Sequence, residues 1–227
     1  MNKLIRFVLS YRKIIIGICF CGITHVLGAQ TAPSETLNEI KEGTLLVVQK
    51  TDFKKKQAYE KILAGKLTEK ERRKYTKQHQ DLVQYIDSYN KFQKENFCSK
   101  YHFSAVSFIP DSAFYRFIKK GDIQSFVSCE GSEIRHSADK KIFIFKYGSN
   151  DPNTSYTNRG WYLTDSKLNR LGRNLPYRIH STVGAASWGA ILTFFTSFKG
   201  NKLSEAETNE LQTIPKKLNQ KLEKTAR

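Results

Sequence analysis

Cys98 and His102 stand four residues apart in "FCSKYHFSAVSFIPDSAFYRFIKKGD", residues 97–122. A thiol with an imidazole in reach is the raw material of a cysteine nucleophile, which also needs a third group to orient the base. The spacing argues against that chemistry. On a chain entering a strand the two side chains share a face but lie ~13 Å apart along it. They meet only if the chain turns at residues 99–101. The same stretch carries a second candidate, Asp111 and Ser112 just after Pro110. A helix starting beyond the carboxyl end of a strand points amides outward, and α/β sheets bind ligands there. Here Asp111 or Ser112 takes that place itself as a cap, which disfavours an anionic ligand.

A third candidate is "GSNDPNTSYTNRG", residues 148–160, a loop of turn formers. Its amides, with Arg159 and the adjoining Trp161 and Tyr162, are suited to a sugar or another polar ligand; the competing reading is a solvated connection. Metal chemistry has little support. His79, His102, His136 and His180 are isolated in sequence, and a site from His136 and His180 would need Asp139 brought in by folding. HExxH, paired CxxC and EF-hand patterns are missing, as are the glycine loops that cradle phosphates and the GxSxG serine elbow. No metal and no cofactor is expected.

The N-terminus speaks about place rather than chemistry. "MNKLIRFVLSYRK" is basic, and "IIIGICFCGITHVLGA" is apolar. Together they read as an export signal over 1–29, cut after Gly28 or Ala29. The alternative is an uncleaved membrane anchor, although the run from Ile14 to Ala29 falls short of the ~20 residues of a spanning helix. Either way the rest of the chain crosses the inner membrane, to be periplasmic, secreted or N-terminally anchored. Cys19 and Cys21 belong to the signal. Cys98 and Cys129 then remain as an even pair in an oxidising compartment, either bridged or as two buried thiols.

The formal net charge is +17. Residues 1–29 hold four basic residues and no acid, which leaves about +13 on residues 30–227. Such a chain outside the cytoplasm favours anionic surfaces, lipid headgroups or acidic glycans. Against this stands the reading of solvated helix faces, since the lysines are spread over several segments. Nucleic acid is disfavoured, because the aromatics beside Arg116, Lys119, Lys120, Arg170, Arg173 and Arg178 fall on core stripes.

The elements that must position these residues follow from periodicity. Residues 30–43 look like a loose polar leader. "TLLVVQK" (44–50) reads as a buried strand. "DFKKKQAYEKILAG" reads as a helix with Phe53, Ile62 and Leu63 near one face. Thr68 and Glu71 form a capping box that opens a long helix with Tyr75, Leu82, Ile86 and Tyr89 on its apolar stripe. That helix overhangs the domain or bends near residues 78–80. "HFSAVSFIP" is an interior strand ended by Pro110, and "SAFYRFIKKG" is a helix closed by Gly121. A strand follows over 122–128, then a hairpin of "SEIRH" and "KKIFIFKYG". "GWYLTD" and "KLNRL" flank a turn, and "LPYRIHSTV" is the last strand. Residues 184–198 form an uncharged helical stretch, either core or in contact with a membrane or partner. Ser204 and Glu207 cap one terminal helix, and Pro215 opens another.

The order "TLLVVQK", "KFQKENF", "FSAVSFIPDS", "GDIQSFV" resembles small exported bacterial proteins of no assigned function, over residues 44–128. The resemblance implies no activity and carries over no functional residue. The expected fold is α/β or α+β: one domain over 44–227, with a mixed sheet of about five to six strands, a long helix after the first strand and a helical C-terminus. The expected function is binding at the cell envelope without catalysis, through an anionic surface or a protein partner. The alternative is a small envelope hydrolase or transferase with a His/Asp site.

Overall fold

The computed structural model describes residues 33–120, 126–134, 140–148, 160–172, 174–181 and 202–227. The export signal expected over 1–29, the residues Arg159, His136, Asp139 and Gly121, and the apolar run 184–198 lie outside the described residues. Among the described residues no helix is long and apolar enough to cross a membrane.

Pro33–Arg227 forms one compact unit of mixed α/β architecture. Its elements run α1 (Pro33–Glu42), β1 (Thr44–Gln49), α2 (Phe53–Ala64), α3 (Glu69–Lys100), β2 (Ala105–Pro110), α4 (Asp111–Lys120), β3 (Phe126–Val127), β4 (Glu133–Ile134), β5 (Ile142–Gly148), β6 (Gly160–Asp165), β7 (Arg178–His180) and α5 (Glu205–Thr225). The seven strands lie in the order β4-β3-β2-β1-β5-β6-β7. β1 is central and parallel to both β2 and β5, while the flanking pairs are antiparallel.

Alternation divides the core. Leu45, Val47, Phe108, Phe143, Phe145, Trp161 and Leu163 face one side, where Leu37 and Ile40 of α1, Phe97 of α3 and Leu211, Ile214, Leu218 and Leu222 of α5 cover them. Leu46, Ile109, Ile142 and Ile144 face the other, against Phe114 and Phe117 of α4.

Several elements differ from their expectation. Residues 33–42, read as part of a loose leader, form α1, because Leu37 and Ile40 reach the core. Among the described residues the sheet has seven strands rather than five or six, while the two helices read between the first two strands are both present. The expected hairpin of residues 132–148 does not form: β4 pairs with β3 at the sheet edge, while β5 pairs with β1. Ile142–Phe145 are buried on both faces and require an interior place, whereas Glu133 and Ile134 are exposed. Residues 167–171 form no strand. Pro215 does not begin a helix but lies inside α5. It removes one backbone bond, a cost of about 3 kcal/mol, but the stripe Leu211, Ile214, Leu218, Leu222 runs buried across it and offsets that loss.

Candidate functional site

The structure concentrates charge where α2 and α3 leave the sheet. α2 has no buried residue. Its half-buried positions Lys56, Tyr59 and Leu63, spaced three and four apart, set its inner side. Tyr59 meets His79 of α3 with ring centroids 6.0 Å apart. Phe53 and Ile62, expected on the inner face, are 52% and 38% exposed. The long helix runs unbroken past the core. α3 is one helix of 32 residues, and its first buried residue is Leu82. At 1.5 Å per residue its start therefore reaches about 20 Å past that point.

The two helices form an arm with a well-defined tip. Gly65 N–H donates to the Ile62 carbonyl at 3.0 Å, and Arg72 Nη1 donates to the Leu63 carbonyl at 3.2 Å. The Thr68–Glu71 capping box is complete, and the hydrogen bonds from Thr68 hold the Glu71 carboxyl below the usual carboxylate range. Between Phe53 and Gln80 the chain has ten basic residues and three acids, a net +7 out of about +13 for residues 30–227. Nine of the ten, all but Lys56, are exposed. Of the three acids, Glu69 pairs with Arg73 and Glu71 is engaged by Thr68.

The root of the arm lies at the carboxyl end of β1. Asn90 of α3 accepts from Lys50 N–H at 3.1 Å and donates to the Lys50 carbonyl at 2.7 Å. Lys50 Nζ lies 4.9 Å from the Tyr85 ring centroid, 5.7 Å from that of Tyr89 and 3.3 Å from Asp52 Oδ2. Asp52 takes a left-handed conformation (φ 46°), which a short polar side chain tolerates, and turns the chain into α2. Tyr85 donates to Glu207 of α5. Burial first, then the Glu207 carboxylate, pushes the Tyr85 hydroxyl up from its usual range. Tyr89 moves the same way, through burial and then Glu210 and Glu207.

The residues singled out in the sequence fall elsewhere. Asp111 begins α4 and accepts a hydrogen bond from Thr51 beyond β1; Ser112 follows, half-buried. Asp111 thereby ties the ends of β1 and β2 together. Trp161 and Tyr162 are core residues rather than a ligand platform. Trp161 stacks on Phe145 at 5.3 Å and donates from Nε1 to the buried Glu210 at 2.7 Å, and Ser181 bonds the other oxygen of Glu210 at 2.6 Å. Tyr162 packs edge-on against Tyr177 at 5.4 Å. Cys98 lies in the last turns of α3, not at the start of a strand, and is disulfide-bonded to Cys129 with Cα atoms 5.7 Å apart. A bonded sulfur is no nucleophile for His102.

His102 instead lines an open groove of about 460 Å³ with Asn38, Lys41, Phe103 and Glu223, at the opposite end of the sheet from the arm. Among the described residues, neither the His102 nor the His180 ring bonds a carboxylate, and no cluster of three or more His, Cys, Asp or Glu could hold a metal. The arm itself escapes a residue-by-residue reading of motifs. The available signal was a helical segment rich in lysine whose apolar residues, Phe53 and Ile62, fall on opposite sides at 100° per residue.

No family model, no curated protein and no solved structure matches this chain.

Proposed function

We propose that this is an exported binding protein of the cell envelope that holds an anionic surface through the α2–α3 arm, without catalysis. One observation carries the reading: a net +7 gathered on a projecting helix pair whose first helix has no fully buried residue. Ordering 28 residues costs conformational entropy, and clustering like charge adds repulsion. The arm offsets neither through the core, so its value lies in what it meets outside. The Cys98–Cys129 bridge supports export, because disulfides persist in oxidising compartments. Among the described residues neither the His102 nor the His180 ring hydrogen-bonds a carboxylate, which supports binding over a His/Asp hydrolase.

The test uses the full chain with phosphatidylglycerol-containing vesicles, neutral phosphatidylcholine vesicles and heparin. Binding to the two anionic partners at low salt, with release as salt shortens the screening length, is the expected result. Equal partition onto neutral and anionic vesicles, together with no retention on heparin, would end the proposal.

A further inference from the structure

The arm is more than a row of lysines. Its far end carries Ile62, 38% exposed, then exposed Ala64 and Gly65, then half-buried Leu67. Lys61, Lys66 and Lys70 surround these residues, exposed and paired with no carboxylate among the described residues. The bonds from Gly65 and Arg72 and the Thr68 cap fix the turn before anything binds, so little further ordering is needed on contact. Resting on the reading above, we propose that this tip enters the headgroup layer of an anionic lipid bilayer, with Ile62 and Leu67 as apolar contacts and Lys61, Lys66 and Lys70 on the phosphates.

The placement of the apolar groups selects the bilayer over a soluble polyanion. A soluble polyanion would lie along the lysines of both helices and gain nothing from Ile62. A bilayer offers phosphates at the level of the lysines and hydrocarbon about 5–10 Å deeper, the order in which a projecting tip meets them. Single-stranded nucleic acid binds through exposed aromatics, and Tyr59 and Tyr75, the aromatics nearest the tip, are half-buried along the arm.

The experiment compares the full chain, Ile62→Ser with Leu67→Ser, and Lys66→Gln with Lys70→Gln. It measures partition onto phosphatidylglycerol-containing vesicles relative to neutral ones, and affinity for heparin. Any contribution of residues 1–29 is common to all three proteins. The serine pair should lower partition onto anionic vesicles about tenfold, as expected for losing two small buried apolar contacts, and leave heparin affinity within about twofold. The glutamine pair should weaken both. If the serine pair changes neither, or both alike, while the glutamine pair weakens both, the bilayer inference falls and the anionic-surface reading stands. If the glutamine pair weakens neither, both fall. Ile62→Ser alone, at an exposed position, repeats the test if the double variant misfolds, with a loss of about threefold expected.

Discussion

Asn90 and Lys50 close a two-way link between the long helix and the end of the central strand, with Lys50 N–H to Oδ1 at 3.1 Å and Nδ2 to the Lys50 carbonyl at 2.7 Å. One amide side chain replaces the partners that the ladder stops supplying after Gln49, and it sets where the arm leaves the sheet. Asn90→Leu removes both bonds and strands a half-buried backbone N–H. It should cost about 1–3 kcal/mol. Denaturant unfolding checks this, and a midpoint equal to that of the unsubstituted protein would remove Asn90 from the account of how the arm is held.

Gly43 joins α1 to β1 in a space that admits no side chain. A Cβ there would lie 2.7 Å from both the Glu39 and Lys141 carbonyl oxygens and 2.9 Å from the Phe143 ring. Gly43→Ala should destabilise by about 1–3 kcal/mol through overpacking. Gly65→Ala is the control, since its Cβ meets one carbonyl at 3.2 Å. Thermal unfolding should separate the two, and equal midpoints would contradict this packing.

The Cys98–Cys129 bridge closes a loop with a sequence separation of 31. Cys98→Ser with Cys129→Ser should cost about 3–4 kcal/mol by the chain-entropy estimate. Mass analysis before and after reduction tests the bond itself. Two free thiols in protein recovered from an oxidising compartment would contradict it and weaken the export reading.

The Tyr85, Tyr89 and Tyr101 hydroxyls are all raised from the usual tyrosine range, chiefly by burial. A folded-state value above the unfolded one means the neutral form is favoured by the fold. That stability is fully present below pH about 10 and is lost as pH rises further. Stability should therefore fall on the alkaline side. Absorbance near the phenolate band should show a fraction of the tyrosines ionising only as the protein unfolds; a single ordinary titration of all tyrosines would contradict their burial.

What the sequence made legible was local. The strands at 44 and 105, the Thr68 and Ser204 caps and the overhang of the long helix each rest on neighbouring residues acting together. What depended on partners far along the chain was not legible. Residues 132–148 look like a hairpin, yet β5 lies beside β1 because four consecutive buried residues need both faces covered. Pro215 looks like a helix start, yet a stripe packed on the sheet carries the helix through it. Trp161 and Tyr162 adjoin a polar loop, yet both faces of β6 are covered, so that both neighbours are buried although they point to opposite sides. The lysines look scattered because they belong to two segments, and only the packing of α2 on α3 makes them one surface.

The central claim is that the arm, not net charge in general, holds the anionic surface. The direct test replaces Lys61, Lys66, Lys70 and Lys74 by Gln, and in a second protein the exposed Lys216, Lys217, Lys221 and Lys224 of α5. The two proteins have the same net charge. Partition onto phosphatidylglycerol-containing vesicles should fall at least about tenfold for the arm variant, each lysine near such a surface being worth about 1 kcal/mol, and should fall far less for the α5 variant. Equal losses in the two proteins, or no loss in the arm variant, would contradict the account.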